Sequence, residues 1–358
     1  MRKFELKIYG NNMPLKYSFF AFLFFMLQAA GVVKPQSPAN FEKSLHYTRA
    51  GAEYWYCEEN GGFESITRMK ISPDCMNCHA EENALGSRII HDKYSPSCSD
   101  CHDTPNSKSV NLTACRNCHT HQTAEIGVSG DVHRDKGMVC TDCHTASDMH
   151  GDGRELRSIY EGAVEKNCES CHKQINSSRS HSIHYDKLDC SACHVQTQVS
   201  CFSCHFESGR INAGLHGFVL LARNTFTKKI QAANFMGLTF KDKTFLAIGP
   251  YKAHTISKEG RKCRDCHGNA VVTNYMKTKK IILTYWNGEK GTIMNTKGVI
   301  PVPEDWKSSI TADFAVYDRE NVKTRGWSFL KRGIDKSQML FLEPLSESTV
   351  KKLYQKMN

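Results

Sequence analysis

Sixteen of the 17 cysteines in this chain fall into eight copies of one pattern, Cys-x-x-Cys-His. The first four copies are Cys75, Cys78 and His79; Cys98, Cys101 and His102; Cys115, Cys118 and His119; and Cys140, Cys143 and His144. The other four are Cys168, Cys171 and His172; Cys190, Cys193 and His194; Cys201, Cys204 and His205; and Cys263, Cys266 and His267. At these residue frequencies chance would supply ~0.04 copies. Two thiols three positions apart can reach the two vinyl groups on one edge of a haem and form thioethers. The histidine that follows can then turn its imidazole onto the iron as proximal ligand. A zinc framework needs paired Cys-x-x-Cys units but gives no reason for His to follow each one. A disulfide framework explains neither the spacing nor the histidine. The expected cofactors are therefore eight haem c groups, each with its iron.

Each copy resembles the attachment motif of c-type cytochromes, and the stretch Cys75–His267 resembles an octahaem c-type cytochrome. The resemblance implies a multihaem cytochrome c fold: short helices and irregular coil wrapped around stacked haems. It also implies haem attachment outside the cytoplasm. The motif starts lie 23, 17, 25, 28, 22, 11 and 62 residues apart. So little chain per motif leaves no room for a separate fold around each haem, and the macrocycles are expected to pack together as the core. The spacing of 11 makes the Cys190 and Cys201 sites expected neighbours.

Nine histidines lie outside the motifs: His46, His91, His121, His133, His150, His181, His184, His216 and His254. Eight irons need at most eight distal ligands, so the supply covers bis-histidine ligation throughout with one histidine to spare. Four of them recur ahead of a motif with acidic and basic neighbours, in His91-Asp92-Lys93, His133-Arg134-Asp135-Lys136, His184-Tyr185-Asp186-Lys187 and His254 before Lys258-Glu259-Gly260. A repeated ligand-type residue at one relative position points to distal ligation. The plainer reading is a capped surface turn. His181 and His184 are three apart and can share a helix face while serving two haems. His121, two residues past His119, has to serve a neighbouring haem if it serves any.

Cys57, in Tyr54-Trp55-Tyr56-Cys57-Glu58, belongs to no motif. Its plain reading is a small buried hydrophobe. Its sharper reading is an active-site thiol beside a haem with an open position, the one catalytic candidate in the chain. Octahaem tetrathionate reductases and hydroxylamine oxidoreductases also carry eight haems, and the former resemblance implies a free cysteine near a lysine-ligated haem. No matching lysine is identifiable here, and there is no Cys-x-x-Cys-Lys motif of the pentahaem nitrite reductase type. The expected function is extracytoplasmic electron transfer in anaerobic respiration. The alternative is an octahaem oxidoreductase acting on a small sulfur or nitrogen oxyanion, so enzymatic status stays open. A third reading is a subunit of a haem filament. Expected partners are redox proteins, including a quinol-linked membrane complex or an outer-membrane conduit, and an oligomer is compatible with the sequence.

The formal charge is +10, but basic residues are scattered and no nucleic-acid module is present. Eight haems would bring about sixteen propionate charges, so the basic chain reads as their counter-charge rather than as a footprint for nucleic acid. Mean hydropathy is −0.49, which argues against an ordinary aliphatic core for a chain of 358 residues. The N-terminus reads as a signal peptide over residues 1–31. Arg2, Lys3, Lys7 and Lys16 precede the apolar run Phe19–Ala30, and Ala29-Ala30-Gly31 offers a cleavage site. No later run suits a membrane span, so a mature protein in the periplasm or outside the cell is expected. An N-terminal segment 32–74 then leads to the haem-binding domain, 75–267. Within it, residues 206–262 read as a β-hairpin insertion, with strands at Gly217–Ala222 and Lys243–Ile248. Residues 268–358 hold no Cys or His and read as a small β-rich cap. In that cap Asn287-Gly288 marks a hairpin, and Ser346 caps a last helix through Lys356.

Overall fold

The computed structural model describes residues 39–70, 95–202 and 212–356, apart from short gaps at 105–106, 108, 163, 176–177, 216, 318–319 and 321–325. The expected signal peptide lies outside the described residues. So does the whole first motif: the two expected thioether cysteines Cys75 and Cys78 and the expected proximal ligand His79. Cys204 and His205 of the seventh motif, and the distal candidates His91 and His216, also lie outside the described residues. Cys201 is described through its backbone only.

From Cys98 to His194 the described chain is a succession of short helices, many of a single turn, joined by coil. Its strands all follow: β1 (Val199–Phe202), β2 (Asn212–Leu215), β3 (Phe218–Asn224), β4 (Ile230–Phe240) and β5 (Lys243–Pro250). After the last motif come β6 (Ile281–Ile282), β7 (Thr284–Asn287), β8 (Thr292–Asn295), β9 (Gly298–Pro301) and β10 (Ile310–Thr311). The series ends with β11 (Asp313–Tyr317), β12 (Trp327–Arg332), β13 (Lys336–Met339) and β14 (Leu342–Glu343).

The insertion is larger than a hairpin. The two strands expected there, β3 and β5, do not pair with each other; both flank β4, which pairs antiparallel with each. The turn between β4 and β5 falls at Lys241-Asp242, and Lys241 takes a left-handed φ of 54°. β13 adds in parallel beside β5, while β9 and β14 share the outer edge of β3. Insertion and C-terminal residues thus form one six-stranded mixed sheet rather than two separate additions.

This sheet is covered on both faces, which explains the unbroken apolar run in β5. Successive residues alternate between faces. Leu246 and Ile248 join the main core with Phe218, Phe235, Leu220 and Ile300, whereas Phe245 and Ala247 join a second cluster with Phe63, Ile66 and Leu238. The N-terminal segment supplies that second cover. Phe63 packs edge-on to Phe245 at 5.9 Å, and Trp55 lies so close over Gly249 that a Cβ there would sit 2.5 Å from the indole ring. The main core continues through Tyr275, Leu283, Trp306 and Phe314 to Val350 of the final helix, Glu347–Tyr354.

Candidate metal centres

The six described motifs share one local geometry. In each, the histidine N–H donates to the carbonyl of the first cysteine, at 2.8–3.0 Å, closing a helical turn. That turn places residues i and i+3, the two thiols, on one side. In three motifs the residue before the second cysteine is an aspartate that accepts the N–H of the residue before the first cysteine. Asp100 accepts from Ser97 at 2.6 Å, Asp142 from Val139 at 2.7 Å and Asp265 from Lys262 at 2.8 Å. In the Cys168 motif Ser170 Oγ plays the same part at 3.0 Å. These caps satisfy backbone donors that such short helices would otherwise leave open. Cys-x-Asp-Cys-His was visible in the sequence as a finer pattern within the repeat.

Each of the six described motif histidines faces one histidine from outside the motifs. Ring-centroid separations are 6.1 Å for His102–His150, 6.1 Å for His119–His46, 6.4 Å for His144–His254, 6.0 Å for His172–His133, 6.3 Å for His194–His181 and 6.3 Å for His267–His184. Two imidazoles on opposite sides of one metal, with metal–nitrogen bonds of about 2.0 Å and centroids about 1.2 Å behind each nitrogen, stand about 6.4 Å apart. No histidine is used twice. Two imidazoles are half of a tetrahedral zinc set. They are the full axial set for an iron whose other four ligands come from a porphyrin.

The second ring nitrogen is occupied in most of these rings. Nδ1–H donates to Ser109 O in His102, to Ser257 O in His194 and to Lys352 O in His267, each at 2.9 Å, and to Ser180 O in His184 at 3.1 Å. His181 Nδ1 pairs with Ser178 Oγ at 3.2 Å. Carboxylates serve two more: Asp131 lies 3.6 Å from His133 Nδ1 and Asp148 lies 3.8 Å from His144 Nδ1. A proton held on Nδ1 leaves the lone pair on Nε2, the arrangement of a ligating imidazole. His46 is the exception: its Nδ1 is buried without a hydrogen-bond partner. Burial, reinforced by His119, His144 and His150, pushes His46 down to about 4, and burial also lowers His119, His144 and His150. Neutral rings are the form that binds metal. The residues therefore fit bis-histidine haem.

His254 has the most elaborate support. Its Nδ1–H donates to the buried Glu125 at 3.3 Å and its backbone N–H to the same carboxylate at 3.0 Å, while Tyr251 donates its phenol proton to the other oxygen. Burial alone would raise the Glu125 carboxyl, but the hydrogen bonds from His254 and Tyr251 hold it below the usual range.

His121 departs from the distal-ligand expectation. Its Nε2 donates to Val199 O at 2.7 Å and its Nδ1 lies 3.6 Å from Glu125, so both nitrogens are engaged within the protein. It sits on helix Thr120–Val128 beside Tyr251 and works as a brace rather than a ligand. The repeated histidines His133, His184 and His254 do face motif histidines, but none faces the motif that follows it in sequence. Cys57 is half-buried, with its thiol donating to Tyr54 O at 3.5 Å and accepting from Asn60 Nδ2 at 3.2 Å.

The described cysteines form no disulfide, and no described residues form a group of three or more His, Cys, Asp or Glu able to hold a bare metal ion. No described helix is long and apolar enough to cross a membrane. No family model, curated protein or solved structure matches the chain.

Proposed function

We propose that this protein carries electrons outside the cytoplasm, in an anaerobic respiratory chain, through eight covalently attached c-type haems. The observation that carries the reading is the pairing of six motif histidines with six others at 6.0–6.4 Å. Haem supplies a one-electron iron couple. The chain holds it by paired thiols, fixes the axial imidazoles and orients most of them through Nδ1. With six distal histidines in use and His121 engaged elsewhere, His91 and His216 are left for the two remaining motifs, whose proximal residues are His79 and His205; that completes eight pairs. Histidine on both sides of an iron leaves no position for substrate, which favours a carrier over an oxyanion reductase. Donor and acceptor are redox proteins, with a quinol-linked membrane complex or an outer-membrane conduit as the fitting classes.

Mass spectrometry of the acid-denatured protein tests the haem count, and an electron paramagnetic resonance spectrum of the oxidised protein tests the ligation. The expected result is eight haems per chain, at least seven of them low-spin. A high-spin haem altered by Cys57→Ser, with turnover of a sulfur or nitrogen oxyanion, would replace this reading by the enzymatic one.

A further inference from the structure

The attachment sites touch one another in a definite sequence. Cys101 lies within electrostatic reach of Cys115 and Cys118, and its carbonyl accepts the Asn111 N–H at 2.9 Å, joining the Cys98 and Cys115 sites. The ligands agree, since His46 of the Cys115 site lies near His150 of the Cys98 site. Cys115 lies near Cys140, and His119 lies near both His144 and His254. The Cys140 and Cys168 sites meet through Cys143 and Cys171. There Lys166 Nζ donates to Asp142 O at 2.7 Å and Glu165 N–H to Asp148 at 2.9 Å. Cys168 and Cys190 lie near each other, flanked by Tyr185 donating to Glu169 at 3.2 Å. Cys193 lies near Cys263 and Cys266, and its carbonyl accepts the Arg261 N–H at 3.1 Å.

Building on the haem reading above, we propose that six attachment sites form one continuous row in the order Cys98, Cys115, Cys140, Cys168, Cys190, Cys263. The order follows the sequence until Cys190, then passes directly to Cys263 across the whole inserted sheet. One short helix enforces that last step. His181 and His184, a single turn apart on Arg179–His184, face His194 of the Cys190 site and His267 of the Cys263 site. A thioether sulfur is bonded to the rim of its macrocycle, so neighbouring attachment thiols would bring two macrocycle rims near each other. Electron tunnelling falls off exponentially with the gap between rims, which makes this row the fast route through the described part of the molecule.

The test is two-dimensional proton NMR of the fully reduced holoprotein, with haems assigned through their thioether cysteines. Cross-relaxation between the Cys115 and Cys140 haems, between the Cys168 and Cys190 haems and between the Cys190 and Cys263 haems is expected. In the oxidised protein, His184→Ala makes the Cys263 haem high-spin, and the paramagnetic broadening it causes should be strongest at the Cys190 haem. Missing Cys168–Cys190 or Cys190–Cys263 contacts in a protein that retains eight haems by mass overturn the order alone. A haem count below eight overturns the haem reading, and the order with it.

Discussion

The stretch 98–190 and the β-rich body that follows solve the packing problem in different ways. Among described residues of the first, Ala114 is the only buried apolar side chain, and the buried company it keeps is polar: Glu125, Asp131, Asp148 and Ser158. The second buries a continuous core from Ala192 to Val350, with seven phenylalanine or leucine side chains (Phe218, Leu220, Phe235, Leu246, Leu283, Phe314 and Leu345) essentially closed to solvent. A chain of this length cannot hold a fold on one buried alanine. On the haem reading proposed above, cofactors would organise the first region, whereas the second is held by its own side chains.

The comparison breaks most readily on the haem-free protein. Made without attachment of haem, residues 98–190 should exchange their amide hydrogens as an unfolded chain, while strands β3–β5 stay protected. Ordered amides throughout 98–190 would remove the distinction between the regions. Next in size, Phe218→Ala in the β-rich body should cost about 3–5 kcal/mol in denaturant unfolding. Haem content and the visible spectrum should stay unchanged. A third experiment compares histidines. Replacing His91, His133, His184 or His254 by Ala should give one high-spin haem each and raise its potential, whereas His121→Ala should give none. Paramagnetic resonance of the oxidised variants reads the spin states.

A smaller effect is expected at Glu125. Its carboxylate on His254 favours the ferric state, so Glu125→Gln should raise one midpoint potential by about 60 mV, a tenfold change for a one-electron couple. A spectroelectrochemical titration that finds all eight potentials unmoved would reduce Glu125 to a packing role. The smallest effect belongs to Cys57→Ser. The thiol is held by Tyr54 and Asn60 on the segment that covers the sheet, so spin state and electron transfer should be nearly unchanged.

The motifs were legible because covalent chemistry fixes their spacing, and the local turn follows from it. The histidine facing each motif histidine was not legible, because the pairs are made by residues far apart in the chain. His46 and His119 are separated by two whole motifs, and His254 faces His144 rather than the nearby His267. The recurring histidines ahead of the motifs pointed to distal candidates but carried no information on which motif histidine each faces. His121 had the right residue type, yet its neighbour Glu125 and the Val199 carbonyl claim it, and i,i+4 contacts of that kind are settled only once the helix is placed. Of the sheet, the strands with strong β-branched and aromatic runs could be read. β4 could not, because Gln231, Ala232, Ala233 and Asn234 dilute its pattern although most of the strand is buried. β3 and β5 close its edges, the main core and the N-terminal segment cover its faces, and no short window around β4 reports that cover.

The inserted sheet has a consequence for how the chain matures. Strands β3–β5 are made before the last motif, but β9, β13 and β14, which cover the two outer edges of that sheet, all follow Cys266. A chain emerging from its N-terminus therefore presents every cysteine pair while the sheet still has open flanks. Open flanks invite pairing with other chains. The sequence order thus builds in a schedule. On the haem reading proposed above, attachment at every cysteine pair can precede closure of the body by the C-terminal strands, so a product truncated after Cys266 would keep all its attachment cysteines and still carry open, aggregation-prone edges.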